Sequence, residues 1–219
     1  MAPLVEACCD SVATARAAAA AGAGRVELCG PGDGGTTPSL GLLARCRDAV
    51  SVPLHVMIRP HVRDFCYDAD DLAVMLRDIE SAKAIGADGV VIGPLRADGT
   101  IHREQVAQLV AHARPLRVTF HRAFDRTPDQ MAALDVLLET GVDLVLTSGG
   151  APTALDGADR LAALQARAGD RLTVLAGGGI RSANIRALLD RAPLREVHAR
   201  ATDPAIIRDL LTRLHTESS

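Results

Sequence analysis

The chain has 219 residues, enough for one large domain or two small ones, and 48% of them are hydrophobic against 23% charged. Only 2% are aromatic, Trp is absent and the formal net charge is -3, which leaves neither a stacking platform for single-stranded nucleic acid nor a basic stripe for DNA. No apolar run approaches membrane-spanning length, "MAPLVEACCD" is too short and too acidic for a signal peptide, and five cysteines without paired spacing fit a reducing cytoplasm.

Taken in chain order, short β-branched or apolar runs alternate with longer helical patterns. The predicted strands are 4–8 (LVEAC), 25–29 (RVELC), 54–59 (LHVMIR), 89–93 (GVVIG), 117–121 (RVTFH), 144–148 (LVLTS), 172–176 (LTVLA) and 195–199 (REVHA). Each precedes a helical stretch; Ser11, Ser39, Thr127 and Ser182 stand at N-cap positions, and Gly22, Gly86 and Gly141 where helices should stop. No linker or low-complexity segment divides the series, so 1–219 reads as one domain. Eight strand–helix units predict an α/β fold, a (β/α)8 TIM barrel; a doubly wound sheet is the alternative, and eight regular units are many for it.

Side chains alternate faces along a strand, so the sequence sorts them. Glu6 and Cys8 oppose Val5 and Ala7. Arg25, Glu27 and Cys29 oppose Val26 and Leu28. His55, Met57 and Arg59 share one face, as do Arg117, Thr119 and His121, and Glu196 with His198. The surrounding helices require the aliphatic set, so the ionisable set points to the barrel axis. Charges there must pair, Glu6 and Glu27 with Arg25 or Arg59 for example. Two readings follow: an ion-pair network that fills the barrel, or a site at the C-terminal strand ends.

Cys8 and Cys29 end consecutive strands on one face, and adjacent strands lie about 4.7–4.9 Å apart. They read either as buried core thiols or as a pair for a soft ion, Cu(I) rather than Mg or Mn, with Met57 or His121 nearby. Cys9 should face outward, Cys46 lies on a helix and Cys66 in a loop. "AGGGIRSAN" (176–184) is a glycine turn whose amides, at Gly177, Gly178 and Gly179, suit an anion, and "TSGGAP" adds Ser148 on the neighbouring strand. "GPGDGGTTPS" (30–39) is a long loop, and "RPHVRDFCYD" (59–68) carries Arg59, Arg63 and Asp64 over the mouth. Lys83, the sole lysine, sits in a helical stretch away from any strand end, which excludes Schiff-base and pyridoxal phosphate chemistry. There is no metal-hydrolase cluster, nucleophile elbow, Walker loop or dinucleotide fingerprint. General acid–base chemistry has residues to carry it: a carboxylate such as Glu27 with His121, and Arg59 holding an anionic group.

The stretches "VEACCDS", "RVELC", "GGTTPS", "MIRP", "VTFHRAFD", "VLTSG", "GGGI" and "EVH" resemble, in order and spacing, the CutC family, named for copper homeostasis. The resemblance implies a cytoplasmic TIM barrel that binds Cu(I) and forms a homo-oligomer, a dimer or tetramer. The family's paired thiols fall on Cys8 and Cys29, and its polar mouth positions on Glu6, Arg25, Glu27, Arg59, Asp64, His121, Ser148, Glu196 and His198. Two departures stand out: "RPHVRDF" replaces the family's "RPRGGDF", and the stretch after "EVH" is short. Two functions are therefore expected. One is Cu(I) binding in copper tolerance. The other is an enzyme acting on a small anionic, phosphorylated or sugar-like molecule through Glu6, Glu27, Arg59, His121, Glu196 and His198, with Arg25, Ser148 and Gly177–Gly179 as the anion site.

Overall fold

Short parallel strands leave their backbone groups unsatisfied at every edge, and closing the sheet on itself removes the edges. The computed structural model, which describes residues 2–30, 35–201 and 203–216, does this with eight strands. They are β1 (Leu4–Cys9), β2 (Arg25–Leu28), β3 (Leu54–Met57), β4 (Gly89–Ile92), β5 (Arg117–Phe120), β6 (Leu144–Thr147), β7 (Thr173–Gly177) and β8 (Glu196–Arg200). Each pairs in parallel with the next, and β8 returns to β1 with Glu6 opposite His198 and Cys8 opposite Arg200. The predicted (β/α)8 barrel is therefore the observed one, strand for strand.

Eight helices follow the strands: α1 (Val12–Ala20), α2 (Leu40–Ala49), α3 (Ala69–Ile85), α4 (Arg103–Ala113), α5 (Gln130–Thr140), α6 (Ala158–Ala168), α7 (Ile185–Arg191) and α8 (Pro204–His215). Ser11 caps α1 in a capping box with Thr14, and Ser39 caps α2, as their positions predict. Gly86 and Gly141 end α3 and α5 in the left-handed conformation. Two expected caps are elsewhere. Thr127 ends a short 3-10 turn (Arg122–Arg126), and Asp129 caps α5 instead, accepting from the Met131 and Ala132 amides. Ser182 precedes a loop, and α7 begins only after Asn184. In both places an unread turn delays the helix by two residues.

The core is a sleeve between strands and helices. Val5, Ala7, Cys9, Val26, Leu28, Val56, Val118, Phe120 and Val197 join the helix residues in one buried cluster. Cys29, Met57 and Val91, with Cys8 against them, form a separate small cluster inside the barrel. The alternation thus sorts the faces as expected. Arg117 is the exception among the inward set: as the first residue of β5 it lies at the N-terminal opening and is exposed. Cys9 faces outward and Cys46 is buried on α2. Residues 31–34 of the long loop after β2, and Thr202 in the short stretch after β8, lie outside the described residues.

Candidate functional site

Beginning from the strands, the inward residues fall into two tiers. The lower one is an ion-pair network. Glu6, fully buried, accepts from Arg25 Nε, and Arg25 Nη2 reaches Glu196 at 2.6 Å. Burial opposes the charge on Glu6, but the Arg25 guanidinium and then His198 outweigh it and hold the carboxyl far below its ordinary range. His55 stands beside them, its Nδ1 3.4 Å from Thr119 Oγ1, and burial with Arg25 and Arg117 nearby lowers it to about 4 despite the opposing pull of Glu6. None of Glu6, Arg25 and Glu196 lines the cavity above this tier.

The upper tier opens to that cavity, of about 690 Å³, at the C-terminal ends of the strands. His198 on β8 joins the tiers, its Nδ1 2.8 Å from Glu6 Oε1. Burial disfavours its positive charge, yet Glu27, then Cys8 and Glu6, push it well above the ordinary histidine value. Cys8 Sγ lies 3.7 Å from Cys29 Sγ, and Cys29 Sγ lies 3.3 Å from Glu27 Oε1. The Cys29 contact, with help from His198, lowers Cys8 to about 5 against the cost of burial, while Cys29 is raised by the same contact. Glu27 is pushed up to about 8, chiefly by burial. Ligand atoms of Cys8, Glu27 and His198 all lie within 4.8 Å of one another. The tier therefore favours the thiolate form of Cys8 and the charged form of His198, while burial and neighbouring negative charge favour the neutral forms of Cys29 and Glu27.

One expected pairing does not occur. Glu27 meets no guanidinium among the described residues, and its Oε2 is buried without a hydrogen-bond partner. Arg59 turns instead to the loop, donating to the Gly35 and Val62 carbonyls and lying over the Phe65 ring at 4.8 Å.

The opposite wall is built by the chain after β5. His121 caps the 3-10 turn: its Nδ1 accepts the Ala123 amide at 3.1 Å, and its ring lies against Phe65. Burial, then Arg59, lowers it to about 3, so the ring is neutral. Asp125, at the end of the same turn, accepts from the amides of Ser148 and Gly150 at 3.1 Å, from the Thr147 hydroxyl, and from Arg122 Nε at 2.8 Å. The apolar strand 117–120 stops on ionisable groups because those groups build the turn and tie it to β6.

The predicted site residues are divided by this geometry. Cys8, Glu27, Cys29, Arg59, His121, His198, Gly178 and Gly179 line the cavity. Ser148 is buried, its hydroxyl donating to the Ala151 carbonyl at 2.6 Å, and so braces the wall from behind. Gly177 ends β7 against Leu146, where an added Cβ would come within 2.5 Å. Asp64 is exposed outside the cavity and accepts the Cys66 amide at 3.1 Å. Lining residues that the sequence reading passed over include Asp125, Arg122, Arg181 and Arg200. The signal for Asp125 was present, four residues beyond His121 on a strand end.

A closed parallel barrel with thiols, imidazoles and carboxylates at its C-terminal mouth defines the class: a TIM-barrel protein. Comparison with known proteins narrows it. The family model described as the CutC family matches residues 3–203. The chain is 47% identical over 196 residues to a CutC family protein of Caulobacter vibrioides, covering 89% of this chain and 80% of that one. It is 47% identical over 199 residues to the copper homeostasis protein cutC homolog of Mus musculus, covering 90% and 73%. The crystal structure of a CutC protein from Streptococcus agalactiae superposes with a TM-score of 0.86 at 29% identity, covering 92% of this chain and all of that one. The chain belongs to the CutC family.

Proposed function

We propose that this chain is a cytoplasmic Cu(I)-binding protein that contributes to copper tolerance, with Cys8 and Cys29 as the ligands and the metal as cargo. The observation that carries the reading is the approach of the two Sγ atoms to 3.7 Å at the foot of an accessible mouth. Soft sulfur donors suit Cu(I) and reject hard ions such as Mg. A thiolate is the form that binds metal, and Cys8, lowered to about 5, supplies it at neutral pH. Cys29 releases its proton as the metal enters. His198, held by Glu6, balances the negative charge that two thiolates bring. Support also comes from the relatives, whose printed names place them in copper homeostasis.

Competition against a chromophoric Cu(I) chelator tests the reading. The double variant Cys8→Ser with Cys29→Ser is expected to lose more than about 100-fold in affinity. Unchanged affinity would remove these two residues as the site.

A further inference from the structure

All five cysteines are free thiols, and among the described residues one pair of their sulfurs is in contact. Cys9, 3% exposed, faces the helices and donates to the Ala7 carbonyl, and Cys46 is enclosed on α2. Cys8 Sγ and Cys29 Sγ stand 3.7 Å apart, and both residues line a cavity of about 690 Å³, a volume that encloses a small organic molecule. A disulfide holds its sulfurs about 2.05 Å apart, so the remaining distance is short and is shared between two side chains.

The two sulfurs differ in access. Cys8 is half-buried beneath the mouth. Cys29 is 5% exposed, its Sγ donates to Glu27 Oε1 at 3.3 Å, and Gly35 closes over it, where an added Cβ would come within 3.0 Å of the sulfur. A molecule entering the mouth therefore meets Cys8 first, with Cys29 one contact behind. That is the order of an attacking thiol and a resolving thiol. Arginines outnumber carboxylates in the lining, and Arg126, Arg181 and Arg200 form no ion pair among the described residues. Arg200 is also the β8 neighbour of Cys8 in the ladder. The positive lining favours an anionic partner.

We propose that Cys8 and Cys29 form a dithiol centre that reduces a small anionic disulfide, Cys8 attacking and Cys29 resolving. The Cys8 sulfur, giving up its proton, bonds to one sulfur of the substrate, whose own S–S bond breaks and releases a first thiol. The Cys29 sulfur then bonds to Cys8, the mixed disulfide breaks and the second thiol leaves with the Cys29 proton. Two electrons and two protons pass from protein to substrate, and excess monothiol runs both steps backward. The activity goes beyond the copper reading: it uses the same sulfurs and needs no metal.

Oxidation of the reduced, metal-free full chain by glutathione disulfide, followed by intact mass and peptide mapping, tests it. The expected product is a Cys8–Cys29 disulfide with glutathione released. Cys29→Ser should stop with glutathione held on Cys8, and in Cys8→Ser the remaining Cys29 should react at least about tenfold more slowly. Cystamine, a cationic disulfide, should oxidise the pair at least about tenfold more slowly than glutathione disulfide. A pair that stays reduced at millimolar glutathione disulfide, a Cys29→Ser chain whose Cys8 stays free, or cystamine reacting as fast would overturn the proposal. The first measurement needs no variant, so a misfolded variant cannot hide the result. Disulfide formation is read by mass and Cu(I) affinity by chelator competition, so either reading can fail alone.

Discussion

Gly93 illustrates how one residue sets the site. An added Cβ there would stand 1.9 Å from His121 Cε1 and 2.2 Å from its Nδ1, far inside contact distance, and Gly89 meets the His55 ring in the same way at 2.5 Å. Gly89 at the start of β4 and Gly93 just past its end are the space into which two histidines fold. Gly93→Ala is therefore expected to destabilise by about 1–3 kcal/mol through overpacking and to move the His121 imidazole. Urea denaturation with histidine ring NMR reads both effects. Gly41→Ala on α2 serves as the comparison, since nothing lies within 4 Å of its added Cβ, and it should leave stability level or slightly raised. An unmoved His121 signal in Gly93→Ala would show that the ring is not held by that gap.

The turn after β5 carries the argument one level up. A 3-10 turn of five residues links a strand to α5, and Asp125 at its end gathers amides from the loop after β6. Its carboxylate fixes two neighbouring loops relative to one another, and one of them supplies His121 to the cavity. Asp125→Ala removes an ionised acceptor of several hydrogen bonds, each worth about 1.5–3 kcal/mol with a charged partner, and leaves buried donors at Ser148 and Thr147 unpaired. We expect a loss of about 3 kcal/mol in chemical denaturation and faster hydrogen exchange at 147–150 than at β1. Uniform exchange across the barrel would mean that the carboxylate does not pin these loops. Asp125→Asn, which keeps the shape and one acceptor oxygen, should recover part of the loss.

At the scale of the whole barrel, the buried charge network makes stability depend on pH in a defined direction. His55 is lowered to about 4 from 6.5, so between those values the unfolded chain binds a proton that the folded chain refuses. Stability from this residue is present above pH 6.5 and is lost as the pH falls toward 4. His121, lowered to about 3, acts in the same sense, whereas Glu27, raised to about 8, costs stability as pH rises from 4.5 toward that value. Replacing His55 with Gln isolates one contribution. The loss of stability between pH 7 and 4.5 should shrink by about 2 kcal/mol relative to the unmodified chain. Parallel urea midpoints at the two pH values check it, and identical slopes in both proteins would show that His55 charges freely in the fold.

The sequence by itself determined the barrel and its polarity, because strand period and helix packing are local rules. Val5, Val26 and Val118 had to face the helices, which turned Glu6, Glu27 and His121 inward. It also paired Cys8 with Cys29, since neighbouring strands of a barrel are neighbours in the chain. Which charge meets which was not legible. Arg25 and Glu196 are 171 positions apart and meet only because β8 closes on β1, and Arg59 was drawn to the Gly35 and Val62 carbonyls, while Glu27 meets no guanidinium among the described residues. Only the tertiary structure decided that, because barrel closure and side-chain reach, not strand period, choose partners across the axis. The same closure left Glu27 Oε2 and His121 Nε2 each buried without a hydrogen-bond partner among the described residues.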